Sequence, residues 1–328
     1  MTPHDHDAFD AFDAFDSRWR ASLAGLDTVA PALALDPVHR PAVGAQLGRF
    51  RLLRELHRGY GASVYESVEK RSGRTYALKL LAPEAAVHSS SRFDFRREIE
   101  LANRVAHPSI LRAEDWHEDE RQIWFVSRFV AGGTLEALVH RTAGTRDEEC
   151  FVELARRFLD VVEAVELLHR DGVVHRDVCP TNVFVDTCGQ FVLADFGSAL
   201  DATTRPDDSH TCPPGSLRYA SPEQIVPGAD PLDTSADVYA LGLTLHELLT
   251  GESAFPDCGS ERLRRLKLTQ RPPPPRRSNA WIPMGLDAIV RQATEPNRIL
   301  RHESAAELAG DLERFVSRRR ASHRRHHA

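Results

Sequence analysis

The stretch that decides the fold covers residues 175–182 and reads His-Arg-Asp-Val-Cys-Pro-Thr-Asn. A second motif, Asp-Phe-Gly at residues 195–197, begins 13 residues after Asn182. Asp177 offers a carboxylate that can accept a proton, and Asn182 and Asp195 offer oxygen atoms that can hold a magnesium ion. The two motifs together therefore offer a proton acceptor and oxygen ligands for a metal ion.

The two motifs resemble the catalytic loop and the magnesium loop of eukaryotic-type (Hanks-type) bacterial serine/threonine protein kinases. The resemblance implies a two-lobed, protein-kinase-like α+β fold, with a small lobe of antiparallel β-sheet and one helix and a larger, mainly helical lobe. It implies that ATP and Mg²⁺ are the cofactors, that Asp177 accepts the proton of the substrate hydroxyl, and that Asn182 and Asp195 ligate Mg²⁺. Protein substrates with serine or threonine acceptors are the implied partners.

A lysine at the end of an apolar run also resembles the family pattern. Residues 76–79 read Tyr-Ala-Leu-Lys, and the family's lysine at this place holds the α- and β-phosphates. A surface lysine at a strand end is the alternative, but the chain has lysine only at positions 70, 79 and 267. Glu98 follows Lys79 by 19 residues, the family's spacing for its ion-pair partner. A helix with about 3.6 residues per turn points the competing Glu100 elsewhere.

Residues 50–81 alternate apolar and polar positions in three runs, which predicts consecutive antiparallel strands. The first turn, around Gly59 and Gly61, takes the place of the family's glycine-rich loop over the phosphates. Two of the three glycines of that loop are replaced, by His57 and Ala62. Because glycine reaches positive φ freely, we expect Gly59 and Gly61 to permit close approach of the backbone to phosphates. An ordinary hairpin turn is the alternative.

The resemblance also places an adenine pocket. Residues 122–135 resemble the strand, hinge and helix start that border it, so the backbone groups of Arg128 and Val130 are expected to hydrogen-bond the adenine edge. The side chains predicted to enclose the nucleotide are apolar: Leu56, Val64, Ala77 and, as the floor, Phe184. For Phe184, an ordinary core position is the alternative.

Apolar residues at helical spacing predict a long core helix over residues 148–170. Residues 235–250 are apolar nearly all round, which predicts a second, buried helix. In the family, this helix begins with an aspartate that holds the backbone of the catalytic loop, and Asp237 takes that position. A favourable charge at the helix dipole is the alternative explanation for Asp237. Arg301 resembles the arginine that pairs with Glu223 in a structural role.

Residues 215–223 (Gly-Ser-Leu-Arg-Tyr-Ala-Ser-Pro-Glu) resemble the end of a kinase activation segment. Ser216, which follows a glycine, fits the family pattern for serine/threonine specificity. The polar segment before it carries hydroxyls at 203, 204, 209 and 211. Arg176 can receive a phosphate from this segment as a charge-assisted pair, so we predict autophosphorylation within residues 203–211. A segment ordered without phosphate is the alternative.

Length and composition set the domain boundaries. With 328 residues, of which 41% are hydrophobic, the chain can bury a large core. We predict a kinase domain over residues 48–316, with a small lobe at about 48–130 and a large lobe at about 131–316. Residues 1–47, in which Ala-Phe-Asp occurs three times over 8–16, are predicted to be a disordered acidic-aromatic tail. Residues 317–328 form a predicted basic C-terminal tail.

Charge and cysteine content narrow the class of partner. The net charge of −6 gives no reason to expect a nucleic-acid partner. The five cysteines are odd in number and form no Cys-x-x-Cys pair, which argues against a disulfide framework and favours a reducing cytoplasm. No apolar run approaches the ~18 residues of a membrane helix, so we expect a soluble protein, with weak peripheral contact through the basic tail as an alternative. The oligomeric state is not predicted.

Cys179 supports a rival hypothesis. In serine/threonine kinases of the family a lysine occupies this position, and a neutral thiol, with a pKa near ~8.5, supplies no cation. A pseudokinase, which keeps the fold as a nucleotide-binding or scaffolding protein without turnover, is therefore the main alternative. The retention of Lys79, Glu98, Asp177, Asn182 and Asp195 favours the enzyme. A small-molecule phosphotransferase of the same fold would have no reason to keep the peptide platform at 215–223.

Overall fold

A computed structural model describes residues 40–59, 61–142, 144–202, 216–226 and 233–326. Most of the predicted N-terminal tail (residues 1–39) and the hydroxyls at 203, 204, 209 and 211 lie outside the described residues. The chain forms two compact units, one made of residues up to 92 together with 114–127, and the other made of 93–113 together with the residues from 128 onwards.

The first unit is built on a six-stranded sheet with the strand order β1-β2-β3-β4-β6-β5. Its strands are β1 (Gln46–Leu47), β2 (Phe50–Arg58), β3 (Ala62–Glu69), β4 (Thr75–Leu81), β5 (Asp115–Glu118) and β6 (Ile123–Arg128). The pairs β1–β2, β2–β3, β3–β4 and β5–β6 are antiparallel. The three consecutive strands predicted from the alternation over residues 50–81 are therefore confirmed.

The alternation has the period of two that a half-buried strand requires. In β4 the side chains of Tyr76, Leu78 and Leu80 are buried, whereas Ala77 and Lys79 alternate with them and are only half-buried. Tyr76 packs edge-on against Phe50, with ring centroids 5.3 Å apart, in a core shared with Leu52, Tyr65, Trp124 and Val126. This core turns Ala77 and Lys79 towards the opposite face of the sheet.

Two helices follow β4: α1 (Pro83–Ala86) and α2 (Ser89–Asn103). Helix α2 buries Phe95, Glu98 and Ile99, and its C-terminal residues Leu101 and Ala102 belong to the hydrophobic core of the second unit. A buried glutamate on an otherwise apolar helix face has a high desolvation cost and is seldom kept without a polar partner.

The second unit is mainly helical, as predicted. Its helices are α3 (Leu135–Thr142), α4 (Glu148–Arg170), α5 (Pro222–Ile225), α6 (Ser235–Thr250), α7 (Ser260–Thr269), α8 (Pro275–Ser278), α9 (Met284–Ala293) and α10 (Ala305–His326). A short 3₁₀ helix covers Ser216–Arg218. Two pairs of antiparallel strands complete it: β7 (Val173–Val174) with β10 (Leu200–Asp201), and β8 (Val183–Val185) with β9 (Phe191–Leu193).

The two long helices predicted from periodicity are confirmed at their predicted bounds. Helix α4 begins after Asp147, whose side chain accepts a hydrogen bond of 2.9 Å from the Glu149 backbone N–H. Every residue of α6 is buried, and the helix ends at Gly251, which adopts a left-handed φ of +79°. The site loops therefore rest on a helix that has no solvent-facing side.

The C-terminal residues continue a helix. Residues 317–326, the greater part of the predicted basic tail, belong to α10. Arg319 pairs with Glu148 at the start of α4, and its guanidinium lies 5.8 Å from the centre of the Phe315 ring. Among the described residues, no helix has the combined length and apolar character that crossing a membrane demands.

Candidate active site

The loop at 175–182 is held by one buried carboxylate. Asp237, at the start of α6, accepts hydrogen bonds of 2.7 Å from the backbone N–H of His175 and of 2.7 Å from that of Arg176. The side chain of Asp237 is fully buried. The predicted contact between Asp237 and the catalytic-loop backbone is confirmed. A favourable charge at the helix dipole alone would not require these two hydrogen bonds.

Hydrogen bonds stabilise the negative charge of Asp237 although the side chain is buried. Burial opposes its ionisation, but hydrogen bonding from His169, whose Nε2 lies 2.8 Å from Oδ2, and from the His175 backbone outweighs burial, so that the pKa of Asp237 lies below its ordinary value. Asp237 is therefore a carboxylate at neutral pH. The sequence analysis did not identify His169, which is six residues before His175 at the end of α4.

Two residues of the site adopt a backbone conformation that side chains other than glycine rarely take. Arg176 has φ of +69° and Asp195 has φ of +63°. The Arg176 carbonyl accepts a hydrogen bond of 3.1 Å from Gln224 Nε2 on α5, which helps to hold this strained residue. Such strain costs of order 1–3 kcal/mol per residue and persists only where the surroundings enforce it. It falls on the two motifs that carry the predicted chemistry.

The β8–β9 hairpin brings the two motifs together. Val183 pairs with Leu193, and the Ala194 N–H donates to the Asn182 carbonyl at 2.8 Å, which places Asn182 and Asp195 at the same end of the hairpin. The Asn182 amide nitrogen donates to both the carbonyl and the carboxylate Oδ2 of Asp177, each at 2.9 Å. Its NH₂ group is thus committed, and the amide oxygen is the atom left to face a cation.

Glu98 lies beside this end of the hairpin. A Cβ added to Gly197 would be 3.2 Å from Asp195 Oδ1 and 3.6 Å from Glu98 Oε2, so the two carboxylates border the same glycine. A Cβ at 197 would crowd the Asp195 carboxylate and touch that of Glu98. Lys79 lies in the first unit, on β4, where it pairs with Val64 of β3. The ion pair between Lys79 and Glu98 stays a prediction.

The predicted phosphate loop is the turn between β2 and β3. The Gly59 N–H donates to the Ala62 carbonyl at 2.8 Å, and a Cβ at Gly59 would lie 3.1 Å from that carbonyl oxygen. A Cβ at Gly61 would meet no atom within 4 Å. Gly59 does not adopt the positive φ that glycine permits. The expectation that the two glycines let the backbone approach phosphates closely stays a prediction.

The apolar residues predicted to enclose adenine all lie on β-strands. Leu56, in β2, is partly exposed, and Val64 and Ala77 lie on the paired strands β3 and β4. Phe184 lies on β8, is only half-buried, and forms an antiparallel bridge with Thr134 at the start of α3. It is not among the residues of the large hydrophobic core cluster. Phe184 is therefore not an ordinary core residue, and its contact with adenine stays a prediction.

The hinge predicted to bind adenine packs closely against strand β8. Arg128 ends β6 and donates from Nη2 to the Pro108 carbonyl at 3.2 Å, while Val130 is buried. A Cβ at Gly132 would come within 2.2 Å of the Val185 carbonyl oxygen, which only glycine avoids. The hinge backbone is therefore in contact with the β8 strand that carries Phe184.

Cys179 is a buried thiol. It is 5% exposed, and its Sγ lies 3.1 Å from Thr181 Oγ1. Burial, followed by the nearby Asp177 carboxylate, raises the pKa of Cys179 to about 12. The sulfur is therefore neutral at physiological pH and supplies no cation to the loop.

The segment after the 3₁₀ helix is anchored by the predicted ion pair. Arg301 Nη1 and Nη2 lie 2.7 Å and 3.2 Å from Glu223 Oε1 and Oε2. Burial opposes ionisation of Glu223, but the Arg301 guanidinium outweighs it and lowers the pKa of that carboxyl. The predicted pairing of Arg301 with Glu223 is confirmed.

Contacts that sequence reasoning missed join the same segment to α6 and α7. The Tyr219 hydroxyl donates to Glu247 Oε2 at 2.7 Å. Lys267 Nζ, on α7, donates to the Arg218 carbonyl at 2.7 Å. The available signal for Lys267 was the rarity of lysine in an arginine-rich chain.

Comparison with known proteins agrees with this geometry. Residues 50–324 match the protein kinase domain model. The chain is 32% identical over 270 residues to the serine/threonine-protein kinase PknD of Mycobacterium tuberculosis, covering 82% of this chain and 40% of that protein. It is 30% identical over 267 residues to the serine/threonine-protein kinase PrkC of Bacillus subtilis, covering 81% of this chain and 40% of PrkC.

A solved structure gives the same answer. The kinase domain of Mycobacterium tuberculosis PknI, crystallised as a cysteine-to-alanine mutant, superposes with a TM-score of 0.62 at 26% identity, covering 84% of this chain and 99% of the PknI chain. The chain spans about two fifths of the length of the curated relatives it matches. With the fold, the motifs and these relatives in agreement, the chain belongs to the protein kinase family, among the Hanks-type bacterial serine/threonine kinases.

Proposed function

We propose that the chain transfers the γ-phosphoryl group of ATP to serine and threonine hydroxyls of protein substrates. The observation that supports this most directly is the meeting of Asp177, Asn182 and Asp195 at one end of the β8–β9 hairpin, on a loop held by Asp237. A carboxylate next to two oxygen donors is what phosphoryl transfer requires of a protein, because the reaction depends on positioning and charge stabilisation.

Each residue of the site has a distinct role in the proposed reaction. Asp177 takes the proton of the substrate hydroxyl while that oxygen forms a bond to the γ-phosphorus and the bond from phosphorus to the β,γ-bridging oxygen of ATP breaks. Lys79, oriented by Glu98, holds the α- and β-phosphates. The Arg128 and Val130 backbone reads the adenine edge. The apolar enclosure of the adenine consists of Leu56, Val64, Ala77 and Phe184.

The donor set fits a divalent cation, and we propose Mg²⁺. The Asn182 amide nitrogen is committed to Asp177, which leaves its oxygen as a neutral ligand, and Asp195 adds a carboxylate at the same end of the hairpin. Mg²⁺ favours one or two protein oxygens together with phosphate oxygens. When bound, it would neutralise charge on the phosphates.

Regulation and location follow from the same family. We propose that hydroxyls within residues 203–211 are autophosphorylated and that Arg176 receives the phosphate. The described cysteines, at 150, 179, 188 and 258, are free thiols, which supports a place in the reducing cytoplasm. The arginine-rich end of α10 would give at most weak contact with anionic lipid. The kinase domain is proposed to cover residues 48–316.

A transfer assay combined with a stability assay tests the proposed function. The purified chain, given γ-labelled ATP and Mg²⁺, is expected to place phosphate on serine or threonine of itself or of a general protein substrate. ATP with Mg²⁺ should also raise the melting temperature, since a ligand at 100 times its Kd stabilises the folded state by about 2.7 kcal/mol. Lys79→Met should weaken that shift.

The two readouts separate the alternatives. A melting shift without transfer would support the pseudokinase, for which Cys179 and the altered turn are the only reasons. No shift at millimolar nucleotide would contradict the nucleotide site itself.

Cys179 gives a second prediction about the same site. Cys179→Lys is expected to raise turnover about 10-fold, equivalent to about 1.4 kcal/mol of barrier, with little change in ATP affinity. The added cation would act on charge that is redistributed only during transfer. Cys179→Met, which adds length without charge, is the matched control and should give no gain. Equal or lower turnover of a well-folded Cys179→Lys variant in a steady-state peptide assay would contradict the prediction.

A further inference from the structure

The segment from the 3₁₀ helix to α5 lies against the catalytic loop. Gln224, on α5, donates to the Arg176 carbonyl, next to Asp177 in the chain. The Tyr219 hydroxyl donates to Glu247 on α6, one turn after Thr244, whose hydroxyl donates to the Val178 carbonyl next to Asp177 in the chain. Arg218 immediately precedes Tyr219 and ends the 3₁₀ helix. The segment that carries Arg218 therefore flanks the loop that carries Asp177.

The backbone of Arg218 is held by a buried lysine. Lys267 is 0% exposed, and its Nζ donates to the Arg218 carbonyl at 2.7 Å. The ammonium group also lies 5.2 Å from the Tyr239 ring centre and 4.8 Å from that of Phe255. Lysine is almost never fully buried, because its charge must be compensated. Here the carbonyl and the two ring faces compensate it, so α7 fixes the place of Arg218 in the fold.

The side chain of Arg218, in contrast, is held loosely. Its Nη2 lies 3.1 Å from Asp257 Oδ1, and the Asp257 side chain is 92% exposed. Ion pairs in water contribute little, so another carboxylate can take the place of Asp257. The solvent-facing charges of the 3₁₀ helix, of α7 and of Asp257 are mainly positive: Arg218, Arg262, Arg264 and Arg265 against Asp257 and Glu261.

We propose that Arg218 is a specificity-determining residue that favours an acidic side chain close to the accepting hydroxyl of the protein substrate. The proposal rests on the kinase activity proposed above and names the class of substrate for it. A guanidinium binds a carboxylate through two parallel hydrogen bonds, which gives direction as well as charge. Asp257 occupies that guanidinium in the free protein, and Lys267 is the positioning residue that holds it in place.

The test uses peptides that differ at one position at a time. Each carries a single acceptor threonine and has glutamate or lysine at one of the neighbouring positions, the rest being neutral. At one or more positions the wild-type chain is expected to show kcat/KM about tenfold higher for glutamate than for lysine, mostly through a lower KM. Arg218→Ala should bring that ratio close to one, and Arg218→Glu should invert it.

Three further variants sharpen the test. Arg262→Ala, which removes an exposed arginine of α7 outside the proposed machinery, is the matched control and should keep the ratio. Asp257→Asn should raise it by removing the competing carboxylate. Lys267→Met should lower it, mainly by raising the KM of the glutamate peptides. The main comparison does not depend on Lys267→Met folding, because Arg218→Ala keeps the backbone carbonyl that Lys267 binds.

The outcomes are distinct. Transfer by the wild-type chain with equal efficiency to all peptides, or a ratio that survives Arg218→Ala, overturns the acidic preference and leaves the kinase assignment standing. Absence of transfer to any peptide or protein overturns the kinase assignment and the preference with it.

Discussion

Replacing Asp177 with asparagine is expected to lower phosphate transfer by a factor of order 10²–10⁴, the usual contribution of a positioned proton acceptor. Asparagine has the same shape but cannot take the proton. Nucleotide binding should persist, because the Asn182 amide keeps its bond to the backbone carbonyl at position 177. Initial rates of peptide phosphorylation, together with the melting shift produced by ATP and Mg²⁺, measure the two effects separately.

The comparison needs an aspartate that differs only in location. Asp160, on α4 and away from the hairpin end, serves as that control, and Asp160→Asn should keep the wild-type rate. An Asp177→Asn variant that retains transfer within a factor of ten would mean that another group accepts the proton.

The largest effect on stability is expected at Arg301. Its guanidinium is fully buried and holds Glu223, the Ser235 carbonyl at 2.6 Å and the Glu295 carbonyl at 2.9 Å, with the Tyr239 ring centre 4.9 Å away. Arg301→Ala leaves the Glu223 carboxylate buried without its cation, a change that typically costs 3–5 kcal/mol. Chemical denaturation monitored by far-UV circular dichroism at neutral pH measures this cost.

The pH dependence of that loss follows from Glu223. Its folded-state pKa is lowered, so its contribution to stability is present above the ordinary carboxyl pKa and is lost as pH falls through the folded value. The difference between wild type and Arg301→Ala should therefore shrink in acid. Arg298→Ala, which removes an arginine from a more exposed pair with Asp233, is the control and should cost about 1 kcal/mol or less. Equal losses for the two variants would contradict the special place of Arg301.

The parts of the fold that could be predicted from sequence were those written in local patterns. Period-two alternation identified β2, β3 and β4, and apolar patterning identified α4 and α6 with their bounds. The contact of Asp237 with the catalytic loop and the pairing of Arg301 with Glu223 came from the family resemblance and are confirmed. Each of these features repeats a pattern that neighbouring residues or fixed motif spacings make visible.

What could not be predicted depends on contacts between distant residues. Lys267 and Arg218 are 49 positions apart, and nothing in the Leu-Lys-Leu context of the lysine distinguishes a buried ammonium from a surface one. His169 likewise looks like an ordinary residue of a helix end until Asp237 is folded against it. Gly59 does not use the positive φ that glycine permits, because its N–H is held by the Ala62 carbonyl, a contact that composition does not reveal.

The burial of α6 has a consequence for how activity and folding are linked. A helix without a solvent-exposed face gains its stability mainly from the elements packed around it. Asp237, on this helix, supplies the carboxylate that accepts the His175 and Arg176 N–H groups, so the catalytic loop is shaped by a residue about 60 positions further along the chain. During synthesis the motifs at 175–182 and 195–197 thus emerge before the support that gives them their geometry. The nascent chain acquires a competent site only after α6 has been made and enclosed.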